Sequence, residues 1–92
     1  MKVLLAVTLA VGIALGAAPP AVADESTYLN QLGPRLAFLT TDQLLTEGYK
    51  VCRYLSVGRP SPDAIPVVMK DLQVTVAAAV DITAGAIEQL DC

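Results

Sequence analysis

The sequence predicts an all-α fold: a small bundle of about four helices closed by one disulfide and preceded by an N-terminal signal peptide. Three observations carry that expectation. The chain opens with a basic residue and an apolar run that ends in small residues, the rest contains several segments with helical capping and periodicity, and its two cysteines stand far apart.

The leader comes first. Lys2 precedes the apolar run Val3 to Leu15, and Ala21-Val22-Ala23 stands just before Asp24. This is the grammar of a secretory signal, with cleavage expected between Ala23 and Asp24. A membrane anchor needs roughly 20 apolar residues, whereas Pro19-Pro20 interrupts the run where a spanning helix would continue. No cysteine stands at the cut to take a lipid. Residues 1–23 are thus expected to be removed, leaving 24–92 as one small domain that does not span the membrane and is secreted, extracellular or in the cell envelope.

A domain this short is marginal unless something reinforces it. Cys52 and Cys92 allow one pairing, and an oxidising compartment favours it. Crosslinking them closes a loop of about 40 residues, which in the chain-entropy model contributes roughly 4 kcal/mol. A reactive thiol pair would call for a close C-x-x-C spacing or basic neighbours.

In the first helix, Ser26 is expected to cap a short segment carrying Tyr28, Leu29 and Leu32, which Gly33-Pro34 stops. Arg35 to Leu39 is apolar but short, and is expected to cross the core as a turn or stub. The second helix, from about Thr41 to Val57, has the clearest signals: Thr40 and Gln43 form a capping box, and Gly58 with Pro60 ends it. Its inward face is expected to gather Leu44, Leu45, Gly48, Val51, Cys52 and Leu55.

Ser61-Pro62-Asp63 reads as the start of a third helix reaching Leu72, with serine at the cap and proline at the first helical position. Pro66 removes a backbone donor one turn in, so a bend or a delayed start is expected there. The last helix, about Thr75 to Leu90, carries apolar residues over more than half its circumference: Val76, Ala79, Val80, Ile82, Ala84, Ala86, Ile87 and Leu90. Asp81, Gly85 and Glu88 form its polar stripe, and the other helices are expected to wrap around the rest. Helical projection leaves Cys92 on the polar side, so the chain must leave helical geometry after Leu90 to reach Cys52.

The residues exclude more chemistry than they suggest. With no histidine in the chain, the commonest general base and nitrogen ligand are missing, and Ser-His or Cys-His nucleophiles are impossible. Two sulfurs and scattered carboxylates fall short of a zinc site, and no glycine-rich phosphate loop is present. No catalytic, metal or cofactor residue is assigned, and no cofactor is expected. Residues 24–92 hold five basic residues (Arg35, Lys50, Arg53, Arg59, Lys70) against nine acidic ones, a net charge of −4. That balance argues against nucleic acid and anionic lipid as partners. Asp81 and Glu88 read as a solvated stripe, not an acid-base pair, and Lys50, Arg53 and Arg59 as a solvated basic patch. Tyr28, Tyr49 and Tyr54 are expected at the core edge with wet hydroxyls.

Taken in order, the Ala-x-Ala ending, the acidic start before Tyr28-Leu29, the stretch Gly48-Tyr49-Lys50-Val51-Cys52, Ser61-Pro62 and an alanine-rich last helix ending in Cys92 resemble a known family. It is the small secreted two-cysteine family of mycobacteria and related actinobacteria catalogued as domain of unknown function number seven hundred and thirty-two. The chain departs from it in a longer Gly33 to Thr40 connection and in Pro66. The resemblance implies an exported, disulfide-bonded helical domain and brings no activity with it.

The leading functional expectation is therefore a non-catalytic interaction module that binds another protein or an envelope component through a helical face. Part of the apolar arc of the last helix should then remain exposed. The alternative is a carrier of a small apolar ligand between the second and last helices, with a cavity near Ala79, Ala84 and Tyr49. An enzyme ranks below both.

Overall fold

Asp24 opens the folded unit. Its carboxylate accepts from the Thr27 backbone N–H at 3.1 Å and from the Thr27 hydroxyl at 2.8 Å, capping α1, Glu25–Leu32. The cap is Asp24 and not Ser26, which falls inside the first turn. A carboxylate also meets the positive end of the helix dipole better than a hydroxyl does. The computed structural model describes residues 23–92, so the signal-peptide assignment of residues 1–22 lies outside the described residues.

After α1 the chain runs through turns that bury Leu36 as a plug. It then enters α2, Thr41–Ser56, where the capping box between Thr40 and Gln43 is complete: the Thr40 hydroxyl accepts from the Gln43 N–H, and the Gln43 side chain accepts from the Thr40 N–H. Gly58, at φ 91°, supplies the left-handed turn that ends this helix.

Ser61–Asp63 forms a 3₁₀ turn, and α3 spans Ala64–Leu72. No side chain caps this start, contrary to the role expected of Ser61. The α-helix begins late, so Pro66 sits in its first turn, where a backbone N–H has no intrahelical acceptor anyway. The final helix, α4, spans Val76–Gln89 and is capped by Thr75, whose hydroxyl accepts from the Ala78 N–H.

Among the described residues every regular element is helical, and α4 packs against α1, α2 and α3. Beyond Gln89 the chain leaves helical geometry, with Asp91 at φ 60°. This turn brings Cys92 to Cys52, and the two are joined in a disulfide with Cα atoms 4.7 Å apart.

The core differs from the expected one at two points. Tyr28 is not at the edge: it is wholly buried, and its hydroxyl donates to the Leu44 carbonyl at 2.6 Å. The buried face of α4 is also rotated from the expected arc. Ala78, Ala79, Ile82, Thr83, Gly85 and Ala86 turn inward, while Val76, Val80 and Ile87 are 56%, 43% and 41% exposed, and Ala84 is exposed as well. Close approach explains the choice. Tyr28 and Leu32 lie against Gly85, so the side of α4 that carries Gly85 must face them, and Ile82 turns inward with it while Val76, Val80 and Ile87 are left outside.

Gly48 is the tightest of these positions. A Cβ there would lie 2.5 Å from Leu90 Cδ1 and 2.6 Å from Tyr28 Oη, whereas at Gly85 the nearest atoms are at 3.3 Å. Overpacking costs about 1–3 kcal/mol and outweighs the helix-propensity gain of about 1 kcal/mol for replacing glycine. Gly48→Ala is therefore expected to lower Tm clearly in thermal melts, and Gly85→Ala to lower it less or not at all.

Candidate functional site

The row of apolar side chains that α4 leaves outside follows from its spacing. Val76, Val80, Ala84 and Ile87 recur at three- and four-residue intervals and so share one side of the helix. The helix stands as a ridge between shallow grooves. On one flank a groove of about 460 Å³ is lined by Arg35, Phe38, Val74, Ala77 and Asp81. Arg35 pairs with Asp81 there at 2.9 Å, and Phe38 is 68% exposed. On the other flank a smaller groove of about 180 Å³ runs between α4 and the start of α3, lined by Pro62, Ile65, Val80, Thr83, Ala84 and Ile87. Thr83 is buried, and its hydroxyl oxygen has no partner. A third depression, lined by Gln31, Arg35, Asp81, Gly85 and Glu88, follows the α1 side. An apolar ridge bordered by grooves is the surface form onto which another helix packs.

A second cluster lies between α2 and α3, and the sequence reading missed its central residue. Glu47 shares the inner face of α2 with Leu44, Gly48 and Val51, is buried, and leaves one carboxylate oxygen without a partner. Burial, followed by a hydrogen bond with the facing Asp71 carboxyl, pushes the Glu47 carboxyl up to about 7. Two carboxylates can hydrogen-bond only when one is protonated, and the buried one keeps the proton. Lys50 donates to Asp71 and holds its carboxyl below the ordinary range, with Glu47 adding to the effect. Lys50 is raised in turn by Asp71. So Lys50, expected to be part of a solvated basic patch, is a partner of α3 in an ion pair, whereas Arg59 lies over the Tyr54 ring, 4.8 Å from its centre. No pattern in a single sequence marks Glu47, since its position on α2 suits a buried or a solvated side chain until α3 is placed.

The other expected positions are accounted for as follows. Cys52 and Cys92 are joined in the disulfide. Ala23 packs partly against the core, and the Asp24 N–H donates to the Gln89 carbonyl at 2.6 Å. Asp81 is tied to Arg35. The Tyr49 hydroxyl donates to Glu25 at 2.6 Å. The room that Gly85 offers is taken by Tyr28 and Leu32, and Ala79 is wholly buried. Among the described residues no three His, Cys, Asp or Glu side chains gather where they could hold a metal ion, and no helix is long and apolar enough to cross a membrane. No protein-family model, curated protein or solved structure matches the chain.

The carboxyl pair sets a pH profile with two sides. Stability contributed by neutral Glu47 is fully present below its ordinary value of 4.5 and is lost as pH rises through about 7. Asp71 works in the opposite direction: its ion pair contributes above its ordinary value of 3.8 and is lost as pH falls through the lowered one. Thermal melts across pH are thus expected to show Tm declining from mildly acidic to alkaline buffer. In Glu47→Gln, whose amide stays neutral, that decline should flatten, leaving the variant several degrees more stable than wild type above neutrality. Parallel profiles for the two proteins would show that Glu47 does not carry the decline.

Proposed function

We propose that this chain is an exported, non-catalytic helical module that binds another protein or a cell-envelope component through the outer face of α4. One observation carries the reading: a helix that packs against α1, α2 and α3 presents an apolar row, Val76, Val80, Ala84 and Ile87, to solvent. Single exposed apolar residues such as Val57 are ordinary, but a row along one helix face, bordered by grooves on both sides, has the form of a docking surface. Ala77 and Ala84 leave room for a partner backbone to approach closely. An amphipathic helix with a row of apolar anchors is the kind of partner that suits this face.

The leader grammar ahead of Asp24 supports export, and so does the order of motifs that resembles the secreted actinobacterial family. The disulfide fits the same setting, since such bonds persist in oxidising compartments. The acidic balance of residues 24–92 disfavours nucleic acid and anionic lipid as the partner.

The double variant Val80→Asp/Ile87→Asp tests this. Val80 and Ile87 are each more than half covered, so the double variant is expected to lose about 1–2 kcal/mol of stability while remaining folded, which its thermal melt checks. Crosslinking in the exporting cell, read by mass spectrometry, is expected to join the wild-type protein to a defined partner through α4 and to lose that product in the double variant. Identical crosslinked products from both proteins would overturn the proposal.

A further inference from the structure

We infer that cutting the Ala23–Asp24 bond completes the fold by docking the new α-ammonium of Asp24 on the C-terminal end of α4, against the carbonyl of Gln89. The inference rests on reading the leader as a cleavable signal. In the cut one water is consumed and the C–N bond between the two residues breaks. The Ala23 carboxylate leaves with the leader, and both hydrogens of the water end on the Asp24 nitrogen, which becomes –NH₃⁺.

The contact is already made in the uncut chain, where the Asp24 N–H donates to the Gln89 carbonyl at 2.6 Å. Gln89 is the last residue of α4, so its carbonyl is one of the four that a helix leaves without an intrahelical donor. Those carbonyls carry the negative end of the helix dipole, which a cation stabilises. Yet α4 has no basic residue in its last turn, and its neighbours in sequence are the acids Glu88 and Asp91. Arg35 and Lys50 are engaged with Asp81 and Asp71. The cation this helix end lacks is the one that the cut creates, at an atom already within hydrogen-bond distance.

The opposite helix end poses no obstacle. Asp24 also caps the N-terminus of α1, where a positive charge alone would be unfavourable, but its own carboxylate is bonded to Thr27 in the same place and Glu25 follows it. The docked amine would also tie the start of the chain to Gln89, three residues before the half-cystine Cys92 that holds its end.

A raised ammonium pKa contributes stability that is full below the unfolded value and is lost as pH rises through the folded one. The test uses the exported, processed protein, its start fixed by intact mass, beside a second form whose cut leaves one extra alanine ahead of Asp24. The α-amine is titrated by the pH dependence of its acylation, read on the N-terminal peptide by mass spectrometry. The expected result is a start at Asp24, a midpoint above the ordinary value of about 8, and a Tm that falls as pH rises through that midpoint. The form with the extra alanine should lack that step, its Tm staying level as pH rises through the same range. A chain that starts at Asp24 but titrates in the ordinary range, with equal Tm in both forms, overturns the docking and leaves the leader reading intact. A chain that starts elsewhere overturns the leader reading and the inference with it.

Discussion

A tyrosine ring can pass between two helices only where neither puts a side chain in its way, and Tyr28 finds its openings at Gly85 of α4 and Gly48 of α2. One edge of the ring would meet a Cβ at Gly85 at 3.3 Å, and its hydroxyl would meet one at Gly48 at 2.6 Å. Between these two points it fills the space where α1, α2 and α4 converge, and its hydroxyl is satisfied by the Leu44 carbonyl. Burying that hydroxyl without a partner would cost several kcal/mol on the order of a lost hydrogen bond plus desolvation. With it, the largest side chain of the core also specifies how α1 sits on the other two helices.

The orientation of α4 follows from the same contact. The face that carries Ala78, Ala79, Ile82, Gly85 and Ala86 turns toward Tyr28, Leu32 and the neighbouring helices, so Val76, Val80 and Ile87 are left on the outside. Close to half of the surface of these three side chains stays in solvent, and that exposed apolar row carries the functional reading. At the far end of α4, Asp24 and Cys92 bring both ends of the folded unit to one place, through a backbone hydrogen bond and a covalent bond. A small core of this kind depends on such closure, because fraying at either end would expose a large share of what it buries.

Local signals in the sequence were legible where a few adjacent residues decide the outcome. Thr40 with Gln43 fixes the start of α2, Gly58 its end, and the exit from helical geometry after Leu90 follows from where Cys92 must go. Pro66 was legible as a delayed start because the constraint lies within one turn. Reading failed where two neighbouring caps competed, as with Asp24 and Ser26, and where tertiary contact chose among faces. Tyr28 looked like an edge residue because tyrosine usually keeps its hydroxyl in water, and nothing local reveals that two distant glycines make a slot for it. The apolar arc of α4 covers more than half its circumference, so hydrophobicity alone could not say which part would be covered. The close approach of Tyr28 and Leu32 at Gly85 decided that, bringing Gly85 from the expected polar stripe into the core. Glu47 became visible only once Asp71 of α3 stood against it.

The claim on which the rest depends is that Tyr28 is locked between the helices with its proton held in place. Burial, with a smaller contribution from the charge of Glu47, pushes its phenol far above the ordinary tyrosine range. Alkaline titration of the native protein, following tyrosine ionisation by ultraviolet absorbance and helix content by circular dichroism, tests this directly. One of the three tyrosines should stay protonated until the helical signal collapses, and that late step should vanish in Tyr28→Phe. Reversible ionisation of all three while the helices remain intact would contradict the account.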